Sequence, residues 1–373
     1  MRVLLNALQA GNRSGTGRYT AELARALAAL GSDFHLDTLW PEGVEHPPAG
    51  SRVRLLPVSG GVLRRLWTDH AAIRRIARDT GATVVHYPAN IGPAIAPEGL
   101  VVTVHDCSFF REPAWFRRDR AWYYRHFVAR GLRRARRVIV DSQATAADVG
   151  EWLHVPPERI DVIPLGVGTH FRPADAAAQD AVRRKHRLPE SYFLFVGTLE
   201  PRKNLTRIIA AWAQATAQGG PDLVIAGRRG WKTGALDAAI AQCRRQDRIH
   251  LAGFLPQTDL PAVMSAAVGF VWPTLLEGFG LPVLEAMACG TPVITSNTSS
   301  LPELTGDAAL LVHPENTKAI AAAMRLLMED AALRQSLRDK GFARAALFTW
   351  ERTARLTLDA YRRALEQGEQ GAL

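Results

Sequence analysis

Cysteine is scarce: Cys107, Cys243 and Cys289 are the whole complement. No two form a Cys-x-x-Cys pair and none has zinc-site spacing, so a disulfide framework and a structural metal are excluded as organising devices. Lysine is also scarce, at positions 185, 203, 232, 318 and 340 only, so nearly all of the 46 basic residues are arginine. Arginine's planar fork grips two oxygens at once and suits phosphate; a genome rich in arginine codons gives the same excess. No apolar run approaches the roughly 18 residues that span a bilayer. The opening MRVLLNAL carries no cleavable-signal pattern. The expected location is therefore a reducing cytoplasm, either free or held peripherally at the inner face of the plasma membrane.

What is present is ample core material. Of 373 residues, 47% are hydrophobic and 22% charged, and the net charge is +10. That length favours two domains over one. Short apolar runs at Arg2–Asn6, Phe34–Leu39, Val53–Leu56, Thr83–His86, Leu100–Val104, Arg137–Val140 and Asp161–Ile163 read as strands. Amphipathic stretches separate several of them; Tyr19, Leu23, Leu27 and Leu30 recur at helical spacing. A second series follows at Tyr192–Val196, Asp222–Ile225, Ile249–Leu251, Val268–Trp272, Pro292–Thr295 and Ala309–Val312. Strands alternating with helices predict an α/β protein of two doubly wound parallel-sheet domains. The expected division is residues 1–168 and 169–349, joined through the Pro- and Gly-bearing stretch Pro164–Asp175, with residues 350–373 a helix returning to the first domain.

Ligands of open parallel sheets bind beyond the carboxyl ends of the strands. Gly11 to Tyr19 follows the first strand; Gly15 and Gly17 permit close backbone approach, and a helix start favours negative charge. The stretch is not the Gly-x-Gly-x-x-Gly dinucleotide fingerprint, and a plain flexible turn explains it equally. His105-Asp106 follows Leu100–Val104, either as a ligand contact or as a buried histidine satisfied by a carbonyl. Thr198, Arg202 and Lys203 follow Tyr192–Val196, and Gly227-Arg228 follows Asp222–Ile225. Cations at strand-to-helix turns suit a pyrophosphate. After Val268–Trp272, Glu277 stands in a glycine-framed turn (Gly278, Phe279, Gly280, Leu281) and Glu285 in the helix beyond. Carboxylates so placed accept hydrogen bonds from sugar hydroxyls; a hydrolase pair would instead face each other across the scissile bond.

The run EGFGLPVLEAMACGTPVITSNTSSLPE resembles the donor-site signature of family four of the retaining GT-B glycosyltransferases, in which two glutamates stand eight positions apart. The likeness extends through GTLEPRKN, AGRRGW and GFLPQTDLPAVMSAA, and back to the His105-Asp106 turn and the first glycine loop. It implies two Rossmann-like domains facing each other across a cleft. It further implies that Glu285 binds the nucleotide ribose, Glu277 the donor-sugar hydroxyls, and Lys203 with Arg202 the pyrophosphate. His105 would touch the donor sugar, Gly15 and Gly17 would let the first loop close, and Ser299 and Ser300 would line the nucleotide loop. Thr198 departs from the pattern, since many members carry arginine after the glycine that ends this strand. The GTLEPRKN form looks like the branch of bacterial O-antigen mannosyltransferases, which implies GDP-mannose as donor and a lipid-linked or glycan acceptor. No Asp-x-Asp motif of the metal-dependent transferases occurs, so neither metal nor cofactor is expected; the nucleotide-sugar is a substrate. The competing readings are another NDP-sugar donor, a phosphorylase or epimerase on the same architecture, and a non-catalytic sugar-nucleotide-binding protein.

Arg111 to Arg137 holds ten arginines against Glu112 and Asp119, interleaved with Trp115, Phe116, Trp122, Tyr123, Tyr124 and Phe127. Arg117, Arg118 and Arg120 are the candidate contacts to an anionic membrane surface or a lipid-pyrophosphate acceptor. An amphipathic helix with a buried aromatic side is the alternative. Nucleic acid is not expected as a partner, because no nucleic-acid motif accompanies the arginines.

Overall fold

The structure is a computed structural model and describes residues 1–12, 14–31, 33–57, 72–90, 99–116, 125 and 129–370. Arg117, Arg118 and Arg120, with Trp122, Tyr123, Tyr124 and Phe127, lie outside the described residues. Contacts divide the chain into two units, Met1–Gly166 with Thr349–Leu373, and Val167–Phe348.

The first unit is built on a parallel sheet of seven strands: β1 (Arg2–Asn6), β2 (His35–Pro41), β3 (Arg52–Leu56), β4 (Val84–Tyr87), β5 (Leu100–Val104), β6 (Arg137–Val140) and β7 (Ile160–Val162), in the order β3-β2-β1-β4-β5-β6-β7. The central strands are buried on both faces, which explains why they read as unbroken Val/Leu/Ile runs rather than as alternating patterns. Helix Gly15–Ala29 buries Tyr19, Leu23 and Leu27 against this sheet unit, while Leu30 forms the cap beyond its end.

Helix Trp350–Gln370 belongs to the same unit. Its Arg363 reaches Asp161 Oδ1 at 2.7 Å, and Arg137 grips the same carboxylate with Nε–Oδ2 at 2.7 Å and Nη2–Oδ1 at 2.6 Å. A carboxylate shared by two guanidinium groups fixes the helix against the sheet edge at a defined register.

The second unit is a six-stranded parallel sheet: β8 (Tyr192–Val196), β9 (Asp222–Ala226), β10 (Ile249–Gly253), β11 (Gly269–Trp272), β12 (Val293–Ser296) and β13 (Leu310–Val312), ordered β10-β9-β8-β11-β12-β13. β1, β5, β6 and β8 have the expected bounds, and the other strands differ from theirs by one or two residues at an end.

Strand order reverses between β1 and β4 in one unit and between β8 and β11 in the other. At such a switch point the loops leaving neighbouring strands diverge to opposite faces and open a crevice. The described residues singled out from sequence follow β1 and β5 in the first unit, and β8, β9, β11 and β12 in the second.

Candidate functional site

In the second unit the chain after β8 turns through Gly197 to Asn204, and the turn after β9 closes on it through backbone bonds, Leu199 N to Arg228 O at 2.9 Å and Gly230 N to Leu199 O at 3.0 Å. Gly227 is obligatory here: its φ is 146°, and a Cβ would stand 1.7 Å from the carbonyl oxygen of Gly197. Arg228 is thereby carried to the exposed rim of the turn. Asn204, in the left-handed region at φ 61°, sends its amide to the carbonyls of Pro273 at 2.8 Å and Pro314 at 2.7 Å. That buried staple locks the turn after β8 to the loop after β11.

The consequence is a compact charge cluster. Lys203 Nζ lies 2.5 Å from Glu277 Oε2, Arg202 Nη1 lies 3.4 Å from the same oxygen, and Arg202 Nε lies 2.6 Å from Glu200 Oε1. Lys203 also stands 4.5 Å over the ring of Trp272. Burial, reinforced by the charge of Arg202, lowers the Lys203 ammonium pKa against the opposing pull of Glu277 and Glu200. Burial works the other way on Glu277, yet Lys203 and then Arg202 outweigh it and hold the carboxyl below its ordinary range. Burial is the stronger pull on the lysine, and the two cations together are the stronger pull on the carboxylate.

The glutamate turn is braced from behind. Ser299 Oγ accepts from Glu277 N at 3.2 Å and donates to Glu277 O, while Ser300 Oγ lies 2.9 Å from Glu277 O and 3.1 Å from Phe279 O. These hydroxyls, expected to line a nucleotide loop, bond the backbone that presents Glu277. Phe279 and Leu281 are buried, Phe279 packing edge-on against Phe348 at 5.9 Å. Gly280 takes φ 108°, where a Cβ would meet Leu301 at 2.8 Å, and it starts helix Leu281–Ala288, which carries Glu285 at 2% exposure. Pro282 stands at the second helical position, where its missing N–H costs no helical bond. Thr198 is half-buried, its methyl 2.9 Å from where a Cβ on Gly230 would sit, and Gly278 completes the turn. Trp272 Nε1, Thr274 Oγ1 and Thr298 Oγ1 are buried without a hydrogen-bond partner among the described residues. Such atoms are uncommon in a folded interior.

In the first unit, Gly15 opens its helix with nothing within 4 Å of a would-be Cβ, whereas at Gly17 a Cβ would stand 1.8 Å from Asn12 O. The two glycines therefore differ in kind: Gly17 is demanded by packing of the loop, and Gly15 is not. His105 was a candidate for sugar contact, but its ring is fully engaged, Nδ1 with Asp141 Oδ2 at 2.7 Å and Nε2 with Pro88 O at 3.0 Å.

Asp141, Asn204 and Trp272 were not singled out from sequence. The signal was available for Asp141, which follows β6 as His105 follows β5. Among the described residues, no three His, Cys, Asp or Glu side chains are grouped to hold a metal ion, and no helix is long and apolar enough to cross a membrane.

Two such doubly wound parallel sheets define a GT-B α/β protein. A solved sucrose-phosphate synthase from Thermosynechococcus elongatus superposes with a TM-score of 0.78 at 24% identity, covering 98% of this chain and 100% of that one. Residues 178–344 match the family described as Glycosyl transferases group 1, and residues 13–171 match Glycosyltransferase Family 4. The O-antigen chain mannosyltransferase B of Escherichia coli is 32% identical over 94% of this chain and 96% of its own length. An MMP alpha-(1->4)-mannosyltransferase of Mycolicibacterium hassiacum is 29% identical over 94% and 95%. The chain belongs to this glycosyltransferase family.

Proposed function

We propose that the protein is a retaining, metal-independent hexosyltransferase that moves mannose from GDP-mannose to a lipid-linked or polysaccharide acceptor in cell-surface glycan synthesis. The observation that carries the reading is the Lys203–Glu277–Arg202 cluster at the β8/β11 switch point. The mannosyltransferase names of the two relatives support the choice of sugar.

In this reading Lys203 and Arg202 hold the pyrophosphate, Glu277 the sugar hydroxyls and buried Glu285 the ribose, with the backbone of Gly278 to Leu281 and the Thr198 and Gly227-Arg228 turns around them. The departing diphosphate gains charge as the sugar gains oxocarbenium character, and two fixed cations, buried Lys203 and part-buried Arg202, stabilise that charge more than they stabilise the ground state. In the free protein Glu277 occupies both cations, so donor binding exchanges a carboxylate for a diphosphate. The enzyme works in the cytoplasm, and Arg117, Arg118 and Arg120 hold it peripherally at an anionic membrane.

Thermal stabilisation and hydrolysis across a nucleotide-sugar panel test the donor. GDP-mannose is expected to give the largest shift, with product anomer matching donor anomer and with activity surviving EDTA. Activity abolished by EDTA and restored by manganese would remove metal independence. Unchanged sedimentation with anionic vesicles after Arg117, Arg118 and Arg120 are replaced by glutamine would remove the membrane role.

A further inference from the structure

The carboxyl ends of β4, β5 and β6 converge on one histidine. His105 Nδ1 faces a carboxylate oxygen of Asp141 at 2.7 Å and Nε2 faces the carbonyl of Pro88 at 3.0 Å, while the backbone N–H of His105 donates to Asn90 Oδ1 at 2.7 Å. A carbonyl oxygen only accepts, and so does an ionised carboxylate. A neutral imidazole has one N–H and can satisfy only one of the two. Both bonds exist together only when both nitrogens are protonated.

We infer that His105 is a clamp that carries its charge at neutral pH, tying the loop after β4 to the turn after β5, and that Asp141 is the positioning residue that keeps it so. The groups facing the ring agree with this. Asp141 is 3% exposed and follows β6, and Asp106 is the next residue along the chain. Tyr19 of helix Gly15–Ala29 presents to the ring at 4.7 Å and 81°, an edge contact that adds no charge. His86 on β4 is held neutral by burial and by the His105 charge, its pKa pushed down to about 3. It spends its nitrogens on Tyr361 Oη and Thr103 Oγ1, each at 2.8 Å. Thr103 in turn meets Tyr19 Oη at 3.1 Å. Burial opposes charge on His105, but Asp141, the Pro88 carbonyl and Asp106 together raise its pKa above the ordinary value.

The clamp fixes the turn 105–107 and the loop 88–90 that border the first unit's switch point. Its bearing on catalysis rests on the transferase reading; its charge state does not. The charge is present below the raised pKa and is lost as pH rises through it, when one of the two ring bonds must break.

The test is a pH titration of the full chain labelled with nitrogen-15 at histidine, followed by ring-nitrogen chemical shifts in wild type, Asp141→Asn and Asp141→Glu. Wild-type His105 is expected to show two protonated nitrogens at pH 7.5, well above the unperturbed midpoint of about 6.5. Asp141→Asn is expected to bring that midpoint down by at least one pH unit and Asp141→Glu to restore part of it. A wild-type ring that is neutral at pH 7.5 overturns the inference, whether or not either variant folds. In product-formation assays the alkaline limb of the kcat profile should move to lower pH in Asp141→Asn, with nucleoside diphosphate affinity unchanged. Superimposable profiles overturn the positioning role. Absence of any product from the wild type instead counts against the transferase reading and leaves the titration to decide the clamp.

Discussion

Lys203→Met removes a buried charge while keeping an aliphatic stem over Trp272. The lysine side chain is 7% exposed and its partner Glu277 13%, so the pair is largely desolvated. Breaking a buried pair by deleting one member costs about 3–5 kcal/mol. Arg202 remains 3.4 Å from the same Glu277 oxygen and takes over part of the compensation, which places the expected loss of stability near the lower figure, about 3 kcal/mol. Binding of a diphosphate should suffer separately, because a charge-assisted hydrogen bond is worth about 1.5–3 kcal/mol. At 1.4 kcal/mol per tenfold, that is a weakening of roughly 10- to 150-fold. Calorimetric titration with GDP and with guanosine divides phosphate from nucleoside: the variant should lose GDP affinity and keep its guanosine affinity. Urea unfolding and near-ultraviolet circular dichroism check that it remains folded at the titration temperature. GDP affinity within twofold of wild type, in a folded variant at equal salt, would refute the assignment of Lys203 to the pyrophosphate.

Glu285→Ala should weaken GDP and guanosine alike, by about 1–3 kcal/mol, since hydrogen bonds to the ribose are common to both; equal guanosine affinity in wild type and variant would contradict a ribose contact. Gly17→Ala should lower the unfolding temperature and the soluble yield, because its Cβ would stand 1.8 Å from Asn12 O, while Gly15→Ala, with open space around it, should leave thermal stability intact. Comparable melting of the two variants would show that the loop adapts. Asp161→Asn should cost about 3 kcal/mol in urea unfolding, because it strands Arg137, whose side chain is 6% exposed. Arg363→Gln removes a partner that is 43% exposed and should cost under about 1 kcal/mol. Equal losses at the two positions would mean that burial does not set the cost.

Much of the architecture was legible because each signal is local. The β-branched and aromatic runs that became β1, β5, β6 and β8 are apolar on both faces, and a strand buried on both sides needs nothing from its neighbours to be recognised. The helix carrying Glu285 beyond its glycine-framed turn was readable for the same reason, since turn geometry and the first helical turn depend on a few consecutive residues. The cations after β8 and the glutamate after β11 stood out by their position at strand ends.

What each side chain does with that position was decided by tertiary contacts across long sequence separations. Lys203 meets Glu277 across 74 residues, Asn204 ties two loops through Pro273 and Pro314, and Asp141 reaches back 36 residues to His105. No periodicity encodes such pairings, because a hydrogen bond is set by where two strand ends arrive in space, and strand order differs from chain order at both switch points. Hence Ser299 and Ser300 bond the backbone that presents Glu277, Phe279 and Leu281 are buried, and His105, at a strand end, bonds through both nitrogens within its own unit. The sequence by itself determined two doubly wound sheets and the loops in which chemistry would be found; the tertiary structure alone decided which polar atoms face one another, since burial makes those pairings obligatory only once the sheets have formed.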